Sequence, residues 1–324
     1  METGQRTQDL IDGLCNNQIE SEVILMKHLF TVAIVLVLSS SMLVGQELKP
    51  YIMGAQSSEA LDVVRDKTSQ ALVAAGFTIL GEYQPAMDEM RWVYVVNSTE
   101  MIEAVQEIGD LTGFAAALRV GLTVENDTVN ISYTNPIYLG NAYFQKKFSD
   151  VEAKFLTVQD SLKKAMADLG TVRDEAFGAE KGMTPKAIGR YHYMFGMEYF
   201  EDVVELTEFS SYSVGKSIIE SKISKGGDTK LVYAYEVPDQ ELKLYGIALS
   251  GEAGEEHFLP IIDISTPKHT AFLPYEILLM GNTAVMMHGR YRIALAFPDL
   301  TMTTFSKIIS TPGAIEDLMR SVTE

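Results

Sequence analysis

The chain has 324 residues, 47% of them apolar, and a net charge of -18 from 26 basic and 44 acidic side chains. A chain this long can bury substantial cores, and two domains is the default expectation. The acid excess argues against a nucleic-acid partner, whose phosphates need a concentrated positive surface, and against adsorption to an anionic membrane.

Residues 1–25 are polar and lack a helical or strand period, so they are read as an extension upstream of a true start at Met26. From there the chain has a short basic start, an apolar run from Leu29 to Leu38, a Ser-rich break, and Gly45 before Gln46. That order predicts a secretory signal peptide over 26–45, with an unbroken apolar run too short to span a membrane. Cleavage would remove two basic and five acidic residues together with Cys15, leaving a net charge of -15 and no cysteine. Disulfides, thiol catalysis and a lipid-anchored cysteine are then excluded, and no stable membrane insertion is expected after cleavage. An exported, disulfide-free chain of this size points to a bacterial periplasm or secretion.

A first α+β unit is expected over 56–170. Ser57 and Ser58 are potential caps for a helix with Leu61, Val64, Ala71, Leu72 and Ala75 on one side, stopped by Gly76. Phe77 to Tyr83 and Arg91 to Val96 read as strands joined around Pro85. Asn97, with Glu100 three residues on, opens a short helix ending at Gly109. Leu118 to Val124 and Thr128 to Tyr133 form a hairpin across Glu-Asn-Asp. Ser149 and Glu152 make a capping box for the stripe Val151, Phe155, Val158, Leu162, Ala165 and Leu169. The connector over 171–211 carries Tyr191, Tyr193, Phe195, Tyr199 and Phe200, so it should pack, or cover a groove around His192, rather than hang free.

A second α+β unit is expected over 212–324. It has a helix from Val214 to Ile223 and strands from Leu231 to Val237 and from Leu242 to Leu249. Glu255 to Ile264 stands where the short helix was, although Pro260 would remove a helical hydrogen bond. Tyr275 to Met280, a Gly281-Asn282 turn and a strand from Ala284 to Ala296 rebuild the hairpin, and Thr311-Pro312 opens the last helix. An offset of 156 lays Val105 on Ile261, Arg119 on Tyr275, Asn126 on Asn282 and Leu162 on Leu318, so the two units read as one domain repeated. The fold class is therefore α+β: two similar domains, each a mainly antiparallel sheet with packed helices, arranged as a pseudo-two-fold pair.

A helix running into Ala-Gly-Phe77 and a strand, then a helix, a strand pair with a short polar turn and a closing helix, resembles the bacterial domain-of-unknown-function family 302. A strand opening with Leu-Pro adds to the resemblance at Leu273-Pro274, while the first unit has Ala117-Leu118 there. The likeness spans about Gln56 to Gly170 and Tyr212 to Thr323. It implies a compact domain able to pair with itself, and no established activity.

Motifs for a Rossmann cofactor, a phosphate loop, a serine-hydrolase elbow or a His-Glu-x-x-His zinc site are absent, so no catalytic residue and no cofactor is assigned. Four histidines follow the signal: His192, His257, His269 and His288. They lack close metal-ligand spacing, and no metal ligands are assigned, although three could converge from distant segments. In a strand from Ala284 to Ala296, period two would place His288, Arg290 and Arg292 on one face, as a positive stripe suited to a carboxylate or phosphate. The first unit has Ser132, Thr134 and Pro136 there; the plainer alternative is a solvated strand whose arginines pair with nearby carboxylates.

The candidate ligand-binding residues are His288, Arg290, Arg292, His192 and His269. The expected function is an exported ligand-binding or interaction protein, with a small anion or a protein as partner. A His- or metal-assisted hydrolase and a structural envelope protein are the alternatives. An apolar groove edged by Arg290 favours binding, converging histidines favour an enzyme, and a flat filled contact between the units favours structure.

Overall fold

The hairpin strands carry the β-branched and aromatic residues that pack well on a pleated surface. Two successive residues at its turn, Asn126 and Asp127, have φ of 50° and 59°, the tight geometry that matches strand twist. The computed structural model describes residues 47–324; the extension expected at 1–25 and the signal sequence expected at 26–45 lie outside them.

Eleven strands among the described residues form two sheets. The first contains β1 (Tyr51–Ser57), β2 (Thr78–Tyr83), β3 (Arg91–Asn97), β4 (Leu118–Glu125), β5 (Thr128–Thr134) and β6 (Thr171–Phe177), in the order β2-β3-β4-β5-β1-β6. The second contains β7 (Val204–Glu208), β8 (Thr229–Glu236), β9 (Leu242–Leu249), β10 (Tyr275–Met280) and β11 (Thr283–Met286), in the order β8-β9-β10-β11-β7. Every pairing is antiparallel. Helices α1 (Leu61–Ala74), α2 (Thr99–Ile108), α3 (Pro136–Phe144) and α4 (Phe148–Met166) accompany the first sheet. Between the sheets in sequence lies the short α5 (Pro185–Ile188); the second sheet has α6 (Tyr212–Ser224), α7 (Glu255–Ile262), α8 (Gly289–Ala296), α9 (Met302–Phe305) and α10 (Thr311–Ser321). The fold is α+β, with two antiparallel sheets and packed helices.

The stripe on α4 buries Val151, Phe155, Val158, Leu162 and Ala165 as its period requires. Each large apolar side chain buried this way contributes roughly 1.5–3 kcal/mol. Several boundaries differ from the sequence reading. Ser57 ends β1, so α1 opens after Ala60 without a side-chain cap, and Ser57 Oγ accepts the Glu59 N–H instead. Ser98 caps α2, because Asn97 is still paired in β3. Ser149 lies inside α4, which starts at Phe148 directly from a 3₁₀ turn at Gln145–Lys147 with Lys147 already in helical geometry. The 171–211 connector contributes β6 to one sheet and β7 to the other. Pro260 sits inside α7, a helix so short that few backbone bonds depend on that position.

The largest departure falls on the stripe. Strand β11 stops at Met286, and the strand expected to reach Ala296 is the helix α8 from Gly289. His288 is its N-cap, with Nδ1 accepting the Arg290 N–H at 3.3 Å. His288, Arg290 and Arg292 therefore do not share a strand face.

The sheets meet through matching devices. Strand β2 is bulged between Ile79 and Gly81, β8 between Leu231 and Tyr233, and the two strands touch there. Gly81 is needed because a Cβ would overlap the Val232 carbonyl oxygen. The 3₁₀ turn Asp110–Ala116 before β4 packs on β9 and β10, while the 3₁₀ turn Thr270–Phe272 before β10 packs on β3, β4 and β5. Helix α2 holds the β8–β9 turn through Gln106 Nε2 to the Pro238 carbonyl (2.9 Å) and Gln240 Nε2 to the Gln106 carbonyl (2.7 Å). Helix α7 holds the β2–β3 turn through Glu255.

Candidate functional site

The centre of this contact is charged. Arg119 on β4 and Glu276 on β10 are both buried and form an ion pair from Nη2 to Oε1. Their places correspond: Arg119 stands opposite Val95 and, beyond it, Gly81, the residue after the β2 bulge. Glu276 stands opposite Gly246 and, beyond it, Tyr233, the residue after the β8 bulge. Gly246 leaves room for the Tyr233 ring, whose hydroxyl donates to Glu276 Oε1. Arg292 reaches the other carboxylate oxygen, Nη1 to Oε2 at 3.2 Å, and its Nη2 donates to the Phe272 and Pro274 carbonyls at 2.8 and 2.5 Å. The guanidinium also lies 4.5 Å from the Tyr275 ring centre, within cation–π range.

Two further buried carboxylates serve the same contact. Asp263 accepts from Arg91 Nη1 at 2.5 Å and from the His269 main-chain N–H at 2.9 Å. Glu255 accepts from the Tyr83 hydroxyl (3.0 Å), the Ala86 N–H (3.0 Å) and the Leu249 N–H (3.3 Å). Burial outweighs those three donors and pushes the Glu255 carboxyl up to about 7. Burial and the adjoining carboxylates also raise the Tyr83 and Tyr233 phenols, keeping them protonated as donors.

The residues singled out from sequence are dispersed. Arg292 belongs to the buried centre. His288 and Arg290 sit outside it and share Glu198, at 3.4 and 3.5 Å. His192 packs on Tyr199 with ring centres 4.6 Å apart, in a shallow cleft with Lys146 and Lys147. His269 is buried, stacked on Phe297 at 4.6 Å and tilted against Tyr51 at 4.9 Å. His257 is largely exposed. Among the described residues, no three His, Cys, Asp or Glu side chains form a metal-ligating group. The aromatic connector packs in part: Tyr191 and Tyr193 donate to the Ala294 and Leu300 carbonyls, and Phe200 stacks on Tyr143, while Phe195 is fully exposed.

Two hollows adjoin these groups. A cleft of about 350 Å³ is lined by Lys49, Ser265, His269, Phe297 and Asp299. Ser265 Oγ lies 3.4 Å from His269 Nε2, and burial lowers the imidazole pKa. Among the described residues no carboxylate hydrogen-bonds that ring, since Asp263 takes the main-chain N–H and Arg91, so a serine–histidine–acid relay is not assembled there. The other hollow is an apolar groove of about 230 Å³ over the outer side of α8, lined by Tyr193, Met197, Ile293, Met302 and Phe305 with Arg290 among them. No helix among the described residues is long and apolar enough to cross a membrane.

No family model and no curated protein matches the chain. Among solved structures, an uncharacterized conserved DUF302 protein from Bacillus stearothermophilus is similar, at 14% identity over 35% of this chain and 97% of that one, with a TM-score of 0.30.

Glu255 gives the contact a pH dependence. Its carboxyl titrates near 7 in the folded chain and near its ordinary 4.5 when unfolded, so between those values the folded state holds the extra proton. Stability should therefore fall as pH rises from about 4.5 to 7, by on the order of 3 kcal/mol from this group, and level off above. Urea unfolding across that range should show the slope for the native chain and a flatter profile for Glu255→Gln.

Proposed function

We propose that the chain is an exported ligand-binding protein whose ligand is an amphiphile with an apolar body and an anionic head. The carrying observation is the groove over α8, whose lining among the described residues is apolar apart from the Arg290 guanidinium and the Tyr193 hydroxyl, which donates to the Leu300 carbonyl. Arg290 has 45% of its side chain exposed and meets Glu198 only at 3.5 Å, leaving donors free for a carboxylate head. Met302, Phe305 and Ile309 supply an apolar wall whose outer members are open to solvent. Titration calorimetry with laurate should show saturable binding, and dodecyltrimethylammonium should bind far more weakly. Arg290→Gln should weaken laurate by roughly ten- to a hundredfold. Met302→Asp should remove most of the remaining affinity. Equal binding of the cationic amphiphile, or no saturable binding, rejects the reading.

Export is the second part of the proposal, supported by the basic, apolar and small-residue order of 26–45 and by the compact unit that begins at Glu47, just past the expected cleavage point. Intact mass of the protein from a native envelope fraction should correspond to a chain starting near Gln46. A retained segment before Gly45 would overturn it.

The third part concerns origin: residues 56–170 and 212–324, with β1 and β7 added, are copies of one domain paired about a pseudo-two-fold axis. Three features support this: the shared strand order, the matching bulges, and the exchange of contacts in which each unit's short helix holds the other's strand turn. In a crystal structure, superposing β2-β3-β4-β5-β1 on β8-β9-β10-β11-β7 should need a rotation near 180°. A rotation far from that value removes the two-fold.

A further inference from the structure

A small cavity of about 50 Å³ lies against the buried charge cluster, lined by Tyr51, Arg119, Thr134, Tyr143, Phe272 and Arg292 among others. That is several times the roughly 10–15 Å³ one water needs, and far less than a metabolite of ordinary size. We propose that this cavity binds a small monovalent anion, a halide or a one-carbon carboxylate, held between the guanidinium groups of Arg119 and Arg292.

The first support is charge. Two buried guanidinium groups converge on one carboxylate, Glu276, which also accepts the Tyr233 hydroxyl. The neighbouring buried carboxylates are engaged elsewhere, Asp263 by Arg91 and Glu255 by Tyr83, Ala86 and Leu249. In direct contact the two guanidinium groups thus have one carboxylate between them, and a buried ion without full local compensation is among the costliest things a protein interior can hold. Hydrogen bonding is the second, independent support. The Nε atoms of both Arg119 and Arg292 are buried and have no hydrogen-bond partner among the described residues, although such groups are nearly always satisfied. Both side chains line the cavity, as do two phenols, Tyr51 and Tyr143, whose pKa values burial raises so that they stay protonated donors. A cavity bordered by cations and hydroxyl donors offers what an anion needs and what a cation or an apolar ligand cannot use.

This site shares no residue with the groove over α8, so its failure and that of the amphiphile reading are separate results. The test is thermal unfolding of the full chain at fixed ionic strength, with sodium gluconate replaced stepwise by sodium chloride or sodium formate. The melting temperature should rise by about 2–4 °C in chloride or formate. Crystals soaked in bromide should show an anomalous peak between Arg119 and Arg292. Arg119→Lys keeps the charge but removes the fork, and should abolish the chloride-dependent rise. If that variant does not fold, Tyr143→Phe provides the comparison, and its rise should be smaller than that of the native chain. The same melting temperature in all three salts, bromide only at the surface, or an undiminished rise in Tyr143→Phe would overturn the proposal.

Discussion

The pair between Arg119 and Glu276 is the constraint on which the arrangement of the two sheets depends. Strands β4 and β10 are buried for most of their length, with Leu118 to Leu122 and Tyr275 to Leu279 all inside. A strand buried on both faces has no alternation to fix its setting, and a slip by one residue would exchange one apolar side chain for another at little cost. A buried ion pair changes that balance, because separating its members leaves an unpaired charge at a cost of about 3–5 kcal/mol. The apolar run supplies most of the burial energy, and the charged residue in each strand fixes the register.

Glu276 also decides what happens outside the contact. By drawing Arg292 inward it sets the rotation of α8, since that guanidinium is held by the carboxylate and by the Phe272 and Pro274 carbonyls. Residues two apart on a helix are about 200° apart around its axis, so Arg290 then faces the opposite side. On a strand the same two residues would share a face. One arginine becomes part of the interior and the other the one cation lining the groove among the described residues, and that division follows from secondary structure alone.

How much of this could be read from the sequence depended on whether the local chemistry had one solution. The β4–β5 hairpin was legible because Asn126 and Asp127 tolerate positive φ and the flanking residues favour strands. The α4 stripe was legible because Val151, Phe155, Val158, Leu162 and Ala165 keep a helical period. Strands β1, β6 and β7 were missed: β1, Tyr51–Ser57, is buried almost throughout and shows no alternation, β6 is exposed along nearly its whole length, and β7 has only five residues. Tyr291, Ile293 and Leu295 alternate with Arg290, Arg292 and Ala294, which imitates a strand. The contrary signal was the run of helix formers Ala294, Leu295 and Ala296 after a capping His288. The offset of 156 set Arg119 against Tyr275, whereas strand pairing sets it level with Glu276. Arg119 lies six residues before the end of β4 and Glu276 four before the end of β10, so one offset cannot hold on both sides of the hairpin turn. Glu255 and Glu276 could not have been chosen among 44 acidic residues by type alone; only burial distinguishes them.

The packing between the sheets bears on the choice between a structural and a binding role. The centre of the contact, around Arg119 and Glu276, is filled apart from about 50 Å³ and leaves no room there for an organic ligand of ordinary size, which would favour a purely structural pair if the molecule ended at that point. It does not end there, because the inner side of α8 is fastened to the contact through Arg292 while its outer side carries Ile293 and Arg290 into an open apolar groove. A groove on a helix anchored by a buried ion pair is held in shape before any ligand arrives, and preorganisation of that kind lowers the ordering cost of binding. The filled centre of the interface is therefore the support that the proposed binding surface on α8 would require, and the small size of the hollow there is no argument against a ligand on the outer side.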